Sequence, residues 1–311
     1  MRETSILIVH PDRKTQRTLQ RILGTIGHRI DVADELAQGQ RLLQHHAPLL
    51  VVVDGSAALS PHGEAFFRAA AERGAEACMT LLGASGVEHV PAILRMGAVT
   101  NLLVHAMPVL AEELIITVQK LIRRDLFGAE KYLLWGTELH ETMLERGSQR
   151  TYLVEHIAEA VRARGQSARV ASMAMLVTDE LISNAVHNAP IDASGVHFRK
   201  DLPRDQEIEL DDRHAVRLRW GCDARYLAIE VTDFFGSLDR DTILDALAKS
   251  DVRETGAGAG MGVALAYRSC DHLVFNLSPG KRTEIIALID VRYPPTERIA
   301  ASSYNVFVER P

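Results

Sequence analysis

The chain has 311 residues, more than one small core accommodates and enough for two domains. Apolar residues make up 47% and charged residues 24%, the composition of a soluble globular protein and not of a disordered or fibrous one. The net charge of -6 gives no general attraction for phosphate backbones or anionic lipid, so neither nucleic acid nor a membrane is an expected partner.

Met-Arg-Glu-Thr leads directly into an apolar, strand-like run at 6–9, not into a secretory apolar region. Further short apolar or β-branched runs occupy 29–32, 49–53, 78–82 and 101–104, all far below the ~20 residues of a membrane span. Amphipathic stretches lie between and after them at 13–23, 35–45, 63–73, 90–96 and 109–124. Continuous apolar strands alternating with helices predict an α/β domain with a five-stranded, doubly wound parallel sheet covered on both faces. Ligands of such sheets sit at the carboxyl ends of the strands.

Asp54 closes the third strand and Gly97-Ala98 precedes the fifth. On these features residues 4–124 resemble the receiver domain of bacterial response regulators, and the resemblance places Asp54 at the phosphate-accepting position. The remaining receiver chemistry is missing. The acidic pair that holds Mg²⁺ is replaced by His10-Pro11, with Asp12 next along, and neither imidazole nor proline supplies the oxygens a hard cation requires. The hydroxyl residue expected after the fourth strand is Gly83, and the lysine expected after the fifth is Val104 or His105. The resemblance is therefore to a degenerate, CheY-like pseudo-receiver, expected to be inactive at Asp54 and to work through protein–protein contact.

A domain boundary is expected near Asp125, giving domains at 1–125 and 126–295 and a tail at 296–311. Residues 131–145 read as strand, or as a helical turn followed by strand. Ser148 is placed to cap a helix to Arg164, with Leu153, Ile157 and Val161 on one face and Gly165 as its stop. A second helix over 168–188 is closed by Pro190. Residues 194–213 are polar and irregular, a loop insertion. Strands at 215–221 and 227–232 flank the Asp223-Ala224-Arg225 turn as a hairpin, helices follow at 242–249 and 261–269, and a strand pair at 273–277 and 284–291 closes the set.

Three segments of this second half carry chemistry. Glu180, Asn184 and Asn188 recur every four residues, so they share one helix face. An amide oxygen there can ligate Mg²⁺, and a carboxylate can accept a hydroxyl proton. Strand 229–233 ends in Asp233, placed to accept the exocyclic amine of adenine. Gly256, Gly258, Gly260 and Gly262 alternate directly before an apolar helix, which lets backbone N–H groups approach a phosphate chain. No G-x-G-x-x-G fingerprint and no Walker A sequence occurs. Cys78, Cys222 and Cys270 form no spaced pair, which points to reduced thiols in the cytoplasm and not to zinc.

In order the chain shows Glu-x-x-x-Asn-Ala, Val-x-Asp, Gly-x-Gly-x-Gly-x-Gly and, at 280–283, Gly-x-x-Thr. Together these resemble the ATP-binding boxes of the GHKL superfamily, the Bergerat fold, across residues 130–292. The resemblance implies a two-layer α/β sandwich with a mixed sheet, and ATP and Mg²⁺ as cofactors. Asn184 would bind Mg²⁺, with Asn188 beside it; Glu180 would be the general base. Asp233 would read adenine, Gly256–Gly262 would wrap the phosphates, and Thr283 would support a water on the adenine side. Phe235 and Ser237 stand where the family has glycines, with Gly236 between them as partial compensation.

The helix order resembles the anti-sigma-factor serine kinases more than histidine kinases, because His140-Glu141 lies in a strand-like stretch with no helical hairpin around it. The chain is thus expected to be a cytoplasmic signal-transduction regulator: a protein-serine/threonine kinase or anti-sigma-like protein governed by its pseudo-receiver. Its partner would be an anti-anti-sigma-like, sigma-like or other signalling protein, and the face of 109–124 could serve a homodimer. In this reading 239–255 is the ATP lid, with Arg240, Lys249 and Arg253 as phosphate partners or solvated charges. A non-catalytic ATP-dependent switch and a scaffold without nucleotide are the alternatives.

Overall fold

The computed structural model describes residues 5–105, 111–204, 206–211, 214–248, 261–292 and 301–309. It divides into two compact units, the first running to Leu126 and the second starting at Phe127.

In the first unit β1 (Ser5–Val9), β2 (Arg29–Ala33), β3 (Pro48–Asp54), β4 (Ala77–Gly83) and β5 (Asn101–His105) alternate with helices α1 (Arg13–Gly24), α2 (Leu36–His45), α3 (Gly55–Ala58), α4 (Gly63–Glu72), α5 (Val90–Arg95) and α6 (Ala111–Arg123). The strands pair in parallel in the order β2-β1-β3-β4-β5, the flavodoxin-like winding. All five residues of β1 are buried, as a strand covered on both faces must be. Asp12 caps α1 through Thr15 N at 2.8 Å, and Leu19 and Leu23 bury the helix's apolar face.

The second unit contains β6 (His140–Leu144), α7 (Gln149–Ala163), α8 (Ala168–Ser183), β7 (Val216–Cys222), β8 (Tyr226–Asp233), α9 (Arg240–Ala248), α10 (Met261–Ser269), β9 (His272–Ser278) and β10 (Arg282–Asp290). Their sheet order is β9-β10-β8-β7-β6, and every neighbouring pair is antiparallel. The expected mixed sheet of this half is corrected to an antiparallel one. Short turns join β7 to β8 and β9 to β10, and α7 and α8, packed as a pair, return the chain for β7 to run against β6. α8 packs on β8 and β10. On the alternate residues of β8 and β10, Glu230 and Glu284 are fully buried. They accept the backbone N–H groups of Ala129 and Gly128, each at 2.8 Å. Arg217 and Arg219 lie beside Glu230 at 3.2 and 3.3 Å. Burial, with Glu284 next to it, pushes Glu230 up to about 7 against the pull of Arg219.

The segment expected as a C-terminal tail supplies β11 (Ser303–Val308), which joins the first unit antiparallel to β5. The first sheet therefore has a sixth strand and is the one that mixes directions. Asn305 accepts a buried hydrogen bond from Asn101 at 2.7 Å, the Tyr304 hydroxyl donates to Val99 O at 3.0 Å, and Lys120 of α6 lies 4.2 Å from the Phe307 ring. Among the described residues no helix is long and apolar enough to cross a membrane.

Candidate functional site

α8 starts at Ser167, whose hydroxyl accepts from Val170 N, and Val170, Ala174, Val177 and Leu181 fix its buried side. Glu180 and the residues after it are thereby held on the flank. At Asn184–Asn188 the helix widens into one π turn, closed by Ala189 N donating to Asn184 O at 3.0 Å. Such turns recur at functional sites. Asn188 Nδ2 donates to Asn184 Oδ1 at 3.3 Å, and both side chains line a cavity of about 270 Å³. Its other walls include Ser237 and Asp239 after β8, Ile243 of α9 and Val263 of α10. The Ser237 hydroxyl donates to Ala189 O at 2.7 Å, which ties the loop after β8 to the end of the π turn.

Asp233 is buried at the end of β8, directly across the ladder from Thr283 of β10. Its Oδ1 accepts from Phe235 N at 3.0 Å and Gly236 N at 3.2 Å. Burial raises this carboxyl to about 6, opposed by those two N–H groups and by Thr283. Gly236 has φ +61°, and a side chain there would overlap the Ser278 carbonyl oxygen. Asp233, Gly236 and Thr283 thus form one cluster, but they are not among the cavity's lining residues. Phe235 is not a lining residue either; its ring packs on His214 at 5.4 Å between centroids.

Glu180 lies beside the start of α10, where a side chain on Gly262 would overlap Glu180 Oε2. Only the absence of a Cβ at 262 permits this approach. Oε2 is buried without a hydrogen bond, and Arg204 Nη1 lies 3.7 Å away. Burial raises the Glu180 carboxyl, with Arg204 opposing it. Gly256, Gly258 and Gly260 lie outside the described residues, as do Lys249 and Arg253 of the expected lid; its remaining cation, Arg240, pairs with Asp241 at 3.2 Å. His140 stacks on Trp220 at 4.4 Å, with Arg164 at 3.2 Å from its Nε2, a packed surface position.

The insertion contributes more than its sequence suggested. His197 and Lys200 line the cavity, Arg199 is buried, and Arg204 reaches Glu180. The usable signal was the alternation Glu207-Ile208-Glu209-Leu210: Ile208 and Leu210 are buried, and Glu209 bridges to Arg146.

In the first unit a cavity of about 730 Å³ opens at the carboxyl ends of the strands, lined by His10, Thr15, Asp54, Ser56, Ser85 and His89 among others. Asp54 Oδ1 lies 3.4 Å from His10 Nε2, while Oδ2 accepts from Ser56 N at 2.9 Å. Asp12 is occupied by its cap on Thr15. Among the described residues no group of three or more His, Cys, Asp or Glu side chains is arranged to hold a metal ion.

No family model matches the chain, and no curated protein is similar to it. Solved structures similar to part of it include the receiver domain of the TMAO respiratory system response regulator TorR, at 24% identity over 39% of this chain and 98% of that one, with a TM-score of 0.33. The signal receiver domain of an HD domain-containing protein from Pseudomonas fluorescens Pf-5 is 17% identical over 40% and 90% of the two chains, with a TM-score of 0.35. The receiver domain of NtrX from Brucella abortus is 20% identical over 38% and 98%, with a TM-score of 0.32. By its own strand order and pairing, the N-terminal unit is receiver-like in fold.

Proposed function

We propose that the chain is a signal-transduction regulator whose C-terminal unit binds Mg-ATP and acts as a protein-serine/threonine kinase or anti-sigma-like regulator on a signalling-protein partner. The observation that carries this reading is the convergence of Asn184 and Asn188 on one cavity with the loop that follows Asp233 and the start of α10. Three segments far apart in sequence meet there. The fit of the residues to the cofactor rests on two further features: the buried Glu180 Oε2, which has no hydrogen bond, and Gly262, whose missing side chain admits that oxygen.

Asn184 would hold Mg²⁺ through its amide oxygen, and Asn188 orients that amide. Bound Mg-ATP would supply the γ-phosphoryl group. Burial brings Glu180 toward the pH at which a carboxylate works best as a base for a serine or threonine hydroxyl. Asp233, with Thr283 opposite it in the ladder, would read the adenine amine, although neither lines the cavity as it stands.

A second reading, a non-catalytic ATP-dependent switch, is favoured by one feature: Phe235 and Ser237 stand where the family has glycines. The first test is transfer of label from ATP to a co-purifying protein or to the chain itself. Transfer supports the kinase, and nucleotide-dependent partner binding without transfer supports the switch. Asn184→Ala is expected to lower Mg-ATP affinity at least ~10-fold, as loss of a metal ligand would. Unchanged affinity in that variant would overturn the site.

A further inference from the structure

Beside the cavity, around Glu180 and Asp179, lie cations that no ATP-binding box contains. Arg150 comes from α7, and Arg199 and Arg204 come from the insertion between the π turn and β7. The fields of Arg150 and Arg204 both reach Glu180, and all three guanidinium groups act on buried His187 one turn beyond Asn184. Their donors are not used up. Arg199 is 8% exposed, and its Nη1 has no hydrogen-bond partner. Arg150 is anchored through Nε to Asp179 at 3.4 Å, yet its buried Nη1 has none either. Buried guanidinium N–H groups without acceptors are costly, and they mark a place where an anion would complete the bonding. Lys200 of the same insertion lines the adjoining cavity. Burial and Arg150 hold the His187 imidazole below its usual range.

We propose that Arg150, Arg199 and Arg204 form a cradle for the terminal phosphoryl group of the bound nucleotide, so that the insertion sets the preference for a triphosphate over a diphosphate. The inference rests on the nucleotide reading above and deepens it. The unused donors are buried, so the ligand is a small, compact anion; a phosphoryl group offers oxygens in the forked geometry that guanidinium groups match. Arg204 rests against Glu180 at 3.7 Å. An incoming phosphoryl group would compete for that guanidinium and leave Glu180 for the acceptor hydroxyl.

Calorimetry on the full chain tests this with Mg-ATP, Mg-ADP and magnesium tripolyphosphate as probes. The wild type is expected to prefer Mg-ATP over Mg-ADP by ~10- to 100-fold, the worth of one or two charge-assisted hydrogen bonds. Arg204→Gln, at a half-exposed side chain, is expected to remove most of that preference while leaving Mg-ADP affinity within about twofold. Arg150→Gln serves as a second variant, with circular dichroism melting to confirm folding. An unchanged ATP-to-ADP ratio in both folded variants overturns the cradle. If tripolyphosphate binds and Arg204→Gln weakens it, while neither nucleotide binds, the cradle stands and the nucleotide reading falls. If none of the three probes binds the wild type, both fall.

Discussion

Asp233→Asn separates the cost of the candidate site from its use. The Asp233 carboxyl is buried, and its folded value of about 6 compares with 3.8 for the free side chain. The folded chain therefore holds the proton more tightly than the unfolded chain does. The contribution of this group to stability is fully present below about pH 4 and is lost as the pH rises through about 6. The gap between 3.8 and about 6 converts to about 3 kcal/mol at neutral pH. Asparagine keeps the oxygen that accepts from Phe235 and Gly236 N, carries no charge, and offers an amide to the Thr283 hydroxyl. Denaturant unfolding at about pH 3 and about pH 7.5 (settings either side of the transition) is the assay. The variant should gain up to about 3 kcal/mol at the higher pH, with little change at the lower one. In the same preparation, adenine nucleotides should bind more weakly than in wild type. A variant less stable than wild type at the higher pH would refute the assignment of Asp233 as a strained, buried carboxylate. Equal gains at both pH values would refute the charge as the cause.

Gly262→Ala should leave melting unchanged or slightly raised, since alanine favours the helix by ~0.5–1 kcal/mol. It should lower label transfer at least ~10-fold by displacing the Glu180 carboxylate; wild-type transfer would remove Glu180 from the chemistry. Asn305→Ala leaves the buried Asn101 amide short of its acceptor and should cost about 1–3 kcal/mol in the unfolding of the first unit, read by denaturant titration; no change would mean that β11 is not part of that unit's stable core. Wild-type chain incubated with acetyl phosphate and Mg²⁺ should form no hydroxylamine-sensitive phosphate on Asp54, because His10-Pro11 replace the acidic pair that would hold Mg²⁺ and Asp12 is committed to Thr15. Stoichiometric labelling would show a working receiver.

Much of the fold was legible because its strands are pure. Runs such as Leu49–Val53 of β3 have no polar interruption, and a continuous apolar run, buried from Leu50 to Val53, admits few other interpretations. Asn184 and Asn188 were legible for a related reason: helical periodicity alone puts them on one face. Other features were hidden. The π turn at Asn184–Asn188 adds one residue to the helical repeat, and nothing in Asn-Ala-Val-His-Asn announces it. Glu230 and Glu284 look like solvent-facing positions of amphipathic strands, yet both are sealed by the Gly128 and Ala129 backbone. Arg199 and Arg204 sit in a stretch whose polarity reads as solvated loop, and only long-range packing brings them to α8. The β7-β8 hairpin and the β9-β10 pair were read from their turns, but the pairing of β10 with β8 and of β6 with β7 depended on which strands became neighbours, a property that local propensity does not encode.

The return of residues 303–308 to the edge of β5 has a consequence for synthesis. While the chain emerges from the ribosome, the receiver-like half must wait with one row of backbone donors and acceptors bare until nearly two hundred further residues have been made, roughly ten to forty seconds at ordinary elongation rates. A bare strand edge is a template for other chains. The early half should consequently depend on chaperones, or on a slow finish to its own folding, and a fragment ending at the first domain boundary should tend to self-associate.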